Sequence, residues 1–538
     1  MAIEKIYDAL VVGTGFAGIY QLYRLVKLGL SVKVIDKAGG PGGTWYWNRY
    51  PGALSDTWSF AYRYSWDLED LKTYKWSNHY VHGPEVLAYL EHVIDRHDLR
   101  KYIQFNTEFL GAKYDEDLSI WTVETTQGHL KARYLITALG LLNNENWPSI
   151  PKKDEFKGYA FHTANIPQNY SFKGKKVGVI GCGSTGIQVI TALAPEVEHL
   201  TCFQRRPQYS VPAVNIPATK EYRDNINDNY EKIWDQVRGS FIAMGFKEST
   251  ISALSVSDED RDRIYQRAWE RGNGLHFMFG TFCDITTNEA ANKTAADFIR
   301  NKIDQIVKDP KKAEKLKPTD MFARRPLCDS GYYESFNQDN VDLVDLKSAP
   351  FDKFTPDGIK TIDGVEHKLD VVICATGFNA VDGSYANLNI RGRRGKTLKE
   401  HWEADPSTYL GCAVSGFPNL FLLLGPKSVF ANIPPAIESQ VEFLSGVIAR
   451  AEELRKTDAS GRKVVLETTE ASEAKWRELC EKAAVSSLFT KTDSWIFGAN
   501  VVGKKKSILF YWGGLGTFRN IIKEEIESNY KGFYPFLQ

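Results

Sequence analysis

The 538-residue sequence predicts an α/β fold with two Rossmann-like dinucleotide-binding units and a helical insertion inside the second. Two glycine-rich turns, each set between a short apolar strand and an amphipathic helix, mark the units. A long stretch of helical periodicity marks the insertion. Residues 1–150 and 385–538 form the two parts of the first unit, 151–215 and 333–384 those of the second, and 216–332 the insertion.

In the first unit an apolar run at 7–12 leads into Gly13-Thr14-Gly15-Phe16-Ala17-Gly18. Ile19, Leu22, Leu25 and Val26 then recur at helical spacing, and 31–35 read as a second strand ending at Asp36. Glycine lets the backbone approach a pyrophosphate, and the helix N-terminus offers it unpaired N–H groups. An acid at the end of the second strand accepts hydrogen bonds from ribose hydroxyls.

The pattern recurs. Residues 176–180 lead into Gly181-Cys182-Gly183-Ser184-Thr185-Gly186, a helix over 187–193 and a strand over 199–203. Where the first unit has Asp36, the second has Arg205 and Arg206, which suit a 2′-phosphate better than a free hydroxyl. The first site therefore fits an adenine ribose without phosphate, and the second fits NADPH. A hairpin pattern around Gly128 runs into Ala138-Leu139-Gly140, and turns at 357–358 and 363–364 precede Ala375-Thr376-Gly377. Flavoproteins with two nucleotides share this plan.

Between 219 and 329 the periodicity changes. Tyr222, Ile226, Tyr230, Ile233, Trp234, Val237 and Phe241 predict one helix with an apolar stripe. Ser257 caps an acidic first turn ahead of Ile264, Ala268 and Trp269. Ala295, Phe298, Ile299, Ile303 and Ile306 form a further stripe, stopped by Pro310. Such an insertion either roofs an active site or enlarges the core.

Composition removes whole classes of function. Lysine plus arginine and aspartate plus glutamate both number 67, so the basic excess of a phosphate-neutralising nucleic-acid binder is missing. Seven scattered cysteines without a C-x-x-C fit neither a disulfide framework, a cysteine metal site, nor a flavin disulfide reductase. His79 and His82 stand three apart with no third ligand nearby, so no metal is expected. A strand beginning near Tyr7 leaves no room for a signal peptide, and no apolar run reaches the roughly 18 residues of a membrane span. A soluble cytoplasmic protein is expected.

Residues 42–56, GGTWYWNRYPGALSD, carry a far more specific pattern than the glycine turns. With RRPLCD at 324–329 and SWIFG at 494–498, they closely resemble the type I Baeyer–Villiger monooxygenases, from residue 7 to about 532. The resemblance implies tightly bound FAD, reduced by NADPH, whose peroxide with O₂ attacks a ketone, a cyclic one above all. The products are a lactone or ester, NADP⁺ and water. It places Thr44, Trp45, Asp56 and Tyr62 with Gly13, Gly15, Phe16, Gly18 and Asp36 at the flavin nucleotide. It places Arg324 and Trp495 with the second glycine loop at NADPH, and Phe430 and Ile433 in the substrate pocket. A monomer suits such an enzyme.

The family's linker signature F-x-G-x-x-x-H-x-x-x-W is matched at Phe156, Gly158 and His162, but Ile166 replaces the tryptophan. Arg324 stands where lysine is usual. Residues 425–434, GPKSVFANIP, replace GPNGPFTNLP, which puts Lys427 and Ser428 where the resemblance expects flavin and substrate contacts.

Arg325 is the expected catalytic cation, oriented by Asp56 through a charge-assisted hydrogen bond. A unit charge about 4 Å away, at an effective dielectric of about 20, contributes roughly 4 kcal/mol, or about three pKa units. That keeps a peroxide anionic and stabilises the oxyanion formed at the carbonyl. Arginine holds its charge when desolvated, where lysine loses it. An ordinary structural ion pair is the alternative. Flavin N- or S-oxygenation, which needs a protonated oxidant, and a non-catalytic flavin redox sensor are the competing functions. Among other residues, His162 contacts NADPH or is a satisfied structural group. Trp45, Tyr46, Trp47 and Tyr50 stack on the flavin or only pack. Lys175 and Lys176 form a solvated face, Lys504 to Lys506 form another or reach a phosphate, and Cys182 serves as a small residue.

Overall fold

A computed structural model describes residues 5–457 and 463–534. Two parallel sheets organise it. In the larger, the strands Ile103–Gln104, Val32–Ile35, Ile6–Val12, Gly128–Thr137 and Leu420–Leu422 run parallel in that spatial order. Gly128–Thr137 is long enough for two tasks. Its first half pairs antiparallel with Ile120–Thr125, which pairs in turn with Phe109–Asp115, and its second half lies beside Ile6–Val12. Leu420–Leu422 and the helix Ile433–Thr457 return from the C-terminal part of the chain, and Gln21 donates to Ser445 Oγ at 3.2 Å.

The smaller sheet is all parallel, in the order Val341–Asp345, His199–Gln204, Lys176–Ile180, Val371–Cys374 and Tyr159–His162. Beside it lies an antiparallel meander of Phe351–Thr355, Gly358–Thr361 and Glu366–Lys368. Each parallel sheet therefore carries one meander. The strands are buried along most of their length, as a sheet covered on both faces requires.

The two glycine turns are copies in conformation. Gly13 and Gly181 have φ of 109° and 107°, and the residues capping the following helices, Gly15 and Gly183, have φ/ψ of −81°/−170° and −77°/−172°. In both, the small-residue strand end crosses beneath the turn. A Cβ on Gly13 would stand 2.4 Å from the Ala138 carbonyl oxygen, and one on Gly181 would stand 2.5 Å from that of Ala375. A Cβ on Gly18 or Gly186 would strike the carbonyl of its own loop, at 1.9 and 2.2 Å. Gly183 differs: a Cβ there meets no atom within 4 Å. That space is open for a ligand.

The insertion enters and leaves through adjacent parallel strands, Ser210–Pro212 and Leu327–Asp329. Its helices include Asp258–Arg271, Gly274–Gly280 and Glu289–Ile306, with Ser257 accepting from Asp260 N as the expected cap. Two expectations need correction. The single helix through Tyr222 and Phe241 is two, Lys220–Asp228 and Tyr230–Gly239, separated at Asn229 (φ −118°, ψ 13°), and Phe241 lies beyond the second. Asn229 turns its amide onto the Asn225 carbonyl at 2.8 Å, the local competition that makes asparagine a poor interior helix residue. Pro310 does more than stop a helix. With Asp309 as cap it starts the next, Pro310–Leu316, where its missing N–H costs nothing.

The loop geometry separates two glycine substitutions. Gly186→Ala is expected to cost more than the 1–3 kcal/mol typical of overpacking, read as a lower melting temperature or loss of soluble protein. Gly183→Ala should leave the melting temperature unchanged yet weaken dinucleotide binding in a titration. Equal melting losses in both variants would refute this reading of the loop.

Candidate active site

Arg325 lies immediately before Leu327–Asp329, at the exit of the insertion, and Asp56 ends the motif at 42–56. The structure joins them as a two-pronged ion pair. Arg325 Nη2 donates to Asp56 Oδ1 at 2.8 Å and Nη1 donates to Oδ2. The side chains are only 25% and 19% exposed, so the pair is largely withdrawn from water while one side stays reachable. Burial by itself lowers the guanidinium pKa, but the Asp56 charge and its hydrogen bonds more than offset this, and the pKa is held above its ordinary value. Arg325 is a permanent cation.

The specific motif is the joint that delivers Asp56. Gln188, on the helix Ser184–Leu193 after the second glycine turn, accepts from Tyr50 Oη at 2.9 Å and donates to the Leu54 carbonyl at 3.0 Å. Gly52 has φ 79°, and a Cβ there would stand 2.6 Å from the Gln188 carbonyl oxygen. The Tyr-Pro-Gly segment thus docks one nucleotide unit on the other. Asn273 completes the support: its amide donates to the Asp56 carbonyl at 2.9 Å and to Tyr80 Oη at 3.2 Å. The next N–H, from Gly274, meets Cys328 Sγ at 3.1 Å, tying the same corner to the Arg325 segment. Neither Gln188 nor Asn273 was expected from the sequence. Gln188 is a single polar residue inside a helical pattern and Asn273 caps the helix Gly274–Gly280 from the turn before it, and neither carries a local signal of its long-range partners.

The first glycine loop forms the neighbouring wall. Gly43 (φ 53°) packs so closely on Gly15 that a Cβ would come within 2.8 Å of its Cα, and Gly42 N donates to the Thr14 carbonyl at 2.9 Å. Thr44 opens the short helix Thr44–Trp47, whose Trp45 donates its indole N–H to Tyr62 Oη at 3.1 Å. Tyr62 also meets Phe16 edge to face at 5.4 Å. Burial raises the Tyr62 pKa well above the ordinary phenol, so it stays protonated. Phe16, Trp45 and Tyr62 are thereby linked, and Tyr62 lies within electrostatic reach of Asp56 and Arg325. Tyr46 and Trp47 pack on each other, and Tyr46 lies under the Arg49 guanidinium. Asp36 is buried and already accepts from Thr14 N at 2.7 Å, Thr14 Oγ1 at 2.6 Å and Ala38 N at 2.9 Å.

Around the second loop, cations gather on Asp493. Its carboxylate pairs with Arg206 at 3.1 Å and Lys506 at 3.0 Å, and its carbonyl accepts from Arg324 Nε at 2.9 Å. Arg324 also pairs with Asp320. Arg205 is exposed and, among the described residues, has no carboxylate within ion-pair distance. Trp495 is half-buried against the edge of Phe510. Both ring nitrogens of His162 are engaged, Nε2 with the Gly377 carbonyl at 3.0 Å and Nδ1 with Ala164 N at 3.3 Å, which favours its structural reading. Ile166 is simply buried. The Cys182 thiol donates to the Arg206 carbonyl, and burial pushes its pKa up to about 12. Lys504 is not solvated as expected but bonds Asn379 and Asp382, each at 2.7 Å.

Residues 425–433 close the site from the C-terminal part. Phe430 stacks on Trp512 at 4.6 Å, Ile433 begins the helix Ile433–Thr457, and the Asn432 amide bonds the carbonyls of Ala61 and Ala243. Lys427 departs from expectation. Its side chain is fully buried with Nζ 2.8 Å from Asp405 and 2.9 Å from the Ile508 carbonyl, and Ser428 Oγ donates to the Gly425 carbonyl at 2.7 Å. Both side chains are turned into the protein, where they tie the loop down.

Several known proteins resemble the chain along nearly its full length. Residues 10–249 match the family model described as pyridine nucleotide-disulphide oxidoreductase, although all seven cysteines are free. A cyclohexanone 1,2-monooxygenase from an Acinetobacter species is 47% identical, over 100% of this chain and 98% of that protein. A Baeyer–Villiger monooxygenase from Pseudooceanicola batsensis is 48% identical over 97% and 95% of the two chains. The chain belongs to the Baeyer–Villiger monooxygenase family. Among solved structures of this family, the cyclohexanone monooxygenase from Rhodococcus sp. Phi1 bound to NADP⁺ superimposes with a TM-score of 0.96, at 51% identity and 99% coverage of both chains. A phenazine N-monooxygenase from Lysobacter antibioticus is also 50% identical, over 98% of this chain and 96% of that protein. No helix among the described residues is long and apolar enough to cross a membrane, and no cluster of potential metal ligands is present among them.

One titration can be read from the wall behind Asn273. His276, whose backbone N–H is held by Asn273 Oδ1 at 2.9 Å, is buried against Trp58 and Phe246, and burial with the Arg271 charge pushes its pKa down to about 4. The folded imidazole binds a proton more weakly than the unfolded one, so between about pH 4 and 6.5 stability rises with pH. His276→Gln should flatten this part of a plot of melting temperature against pH. An unchanged slope would show that other groups govern it.

Proposed function

We propose that this chain is an FAD- and NADPH-dependent oxygenase that inserts one oxygen atom of O₂ into a ketone, yielding an ester or, from a cyclic ketone, a lactone. NADPH supplies the two electrons and the second oxygen atom leaves as water. The observation that carries this reading is the permanently charged Arg325, held by Asp56 within electrostatic reach of Tyr62, which packs on Phe16 of the first glycine loop.

The cofactors fit the residues present. The first loop, with Gly13, Gly15, Phe16, Gly18, Asp36, Thr44, Trp45 and Tyr62, would hold FAD. Gly181, Gly183, Ser184, Thr185 and Gly186, with Arg205, Arg206, Arg324 and Trp495, would hold NADPH, whose 2′-phosphate suits the cations gathered around Asp493. Bound FAD supplies the activated oxygen once NADPH has reduced it in the presence of O₂. Everything else is the work of the chain's own groups. Arg325 favours the negative form of an oxygen beside it by roughly 4 kcal/mol at about 4 Å. It also stabilises the carbonyl oxygen as that atom gains charge. Asp56 fixes the plane of the guanidinium, and Asn273 fixes Asp56. Phe430 and Ile433 form apolar substrate wall. The seven free cysteines support a reducing compartment, the cytoplasm.

The phenazine N-monooxygenase relative favours a second reading, oxygenation of an aromatic ring nitrogen. Arg325 argues against it, because an electrophilic oxidant works in its protonated form. Products decide the matter. Incubation with cyclohexanone, a thioether and phenazine should give lactone. N-oxide or sulfoxide alone, with no ester from any ketone, would assign the chain to the second class.

Arg325→Ala should still oxidise NADPH and consume O₂ while releasing hydrogen peroxide, with ester formation reduced about 10²–10³-fold. Coupled measurement of NADPH, peroxide and ester checks this. A normal ester yield would remove Arg325 from the mechanism.

A further inference from the structure

A second concavity, of about 270 Å³, opens between the segment 59–76 and the insertion helices Lys220–Asp228 and Tyr230–Gly239. No residue of either glycine loop lines it, and neither Arg325 nor Asp56 does. Phe60 and Arg63 are among its walls, whereas Tyr62 between them turns instead to Trp45 and Phe16.

The lining has two chemical features. It is cationic: its lining holds Arg63, Lys72, Lys75, Lys220 and Arg223 against one carboxylate, Asp224, which Lys220 already pairs, and of the five only Arg63 meets a carboxylate from behind the lining, Asp70 at 3.5 Å. Among the described residues, Lys72, Lys75 and Arg223 have no carboxylate within 4 Å, although the chain as a whole carries no net charge. The lining is also aromatic: Tyr74 and Tyr222 are half-buried beside the cations, Tyr222 with one face stacked on His79, and the buried Trp76 lies behind them. Arg63 is only 1% exposed. Its Nη atoms are bonded to Tyr230 Oη and to the Leu71 and Asp70 carbonyls, while its buried Nε has no partner. Unneutralised cations beside flat apolar faces suit a ligand with a ring at one end and a negative charge at the other. A volume just below that of drug-sized pockets limits it to one or two rings.

We propose that this concavity binds a small aromatic carboxylate, its ring among the tyrosines and Trp76 and its charge toward Lys72, Lys75 and Arg223. The occupant would bridge the insertion to the first nucleotide unit, across the contact that Asn227 already makes by donating to the Lys72 carbonyl at 3.1 Å. The proposal is independent of the reaction assigned above.

Isothermal titration of the FAD-loaded protein with 2-naphthoate tests it. Saturable one-to-one binding is expected, weakened at least tenfold in a Lys72→Ala/Arg223→Ala variant with an unchanged melting temperature. Should that variant fold poorly, Lys75→Gln serves, with a smaller loss. Binding should persist with saturating NADP⁺ and in Arg325→Ala, should weaken as salt is raised, and should fall at least tenfold for the neutral 2-naphthalenemethanol. Each of three results overturns the proposal: no saturation in the millimolar range, displacement by NADP⁺ or cyclohexanone, or inorganic phosphate binding as tightly as naphthoate.

Discussion

A guanidinium at the exit of the insertion and a carboxylate of the first nucleotide unit form the contact on which the site depends. Arg325 and Asp56 lie 269 positions apart in the chain and share two hydrogen bonds. An ion pair so far withdrawn from water holds only if its geometry is fixed, because either partner left alone would be an uncompensated charge. The structure fixes it from three directions. Parallel strands at the mouth of the insertion set the Arg325 backbone, Gln188 and Gly52 set the loop carrying Asp56, and Asn273 joins that loop to the insertion. The site therefore exists only where both units and the insertion meet. None of them could form it alone.

The near-identity of the two glycine loops sharpens the contrast between the units. The same backbone angles recur, and an alanine carbonyl lies beneath each first glycine, Ala138 in one unit and Ala375 in the other. The units diverge at the end of the second strand. In the first unit an acid turns back onto its own loop through Thr14, and in the second a group of arginines spreads around Asp493. Backbone geometry supplies the general capacity for a pyrophosphate, and a few side chains decide which nucleotide suits each loop.

The fold was legible because its signals are local. Strand, glycine turn and helix succeed one another within thirty or so residues, and each glycine answers to a steric demand of its own loop. The Arg325–Asp56 partnership was legible only through family resemblance, since nothing in either segment alone names the other. Gln188 and Asn273 were invisible for the same reason. The break at Asn229 was missed because the apolar stripe continues across it, so periodicity outvoted a side chain that competes for the backbone. Lys427 was misplaced on different grounds. Alignment fixes a residue's position in the chain, not the direction of its side chain. At φ 65° this lysine is turned toward Asp405 and the Ile508 carbonyl.

Arg324 and Arg325 show how closely the two functions are packed. They are consecutive residues just ahead of the strand Leu327–Asp329, with a bend at Arg324, and their side chains go to different partners. One reaches Asp320 and the Asp493 carbonyl beside the second glycine loop, and the other reaches Asp56 beside the first. A single dipeptide thus reaches both Asp493 and Asp56. Lysine would be a poor substitute at 325, because a point charge cannot grip both carboxylate oxygens in one plane. At 324 the demand is looser, since its two contacts go to separate acceptors. The requirement for arginine is therefore strict on the side where charge must be aimed, and the spacing of the pair leaves no residue between them to absorb a shift. Any movement of the insertion that displaces one guanidinium displaces the other, so the same motion reaches both the Asp493 cluster and Asp56.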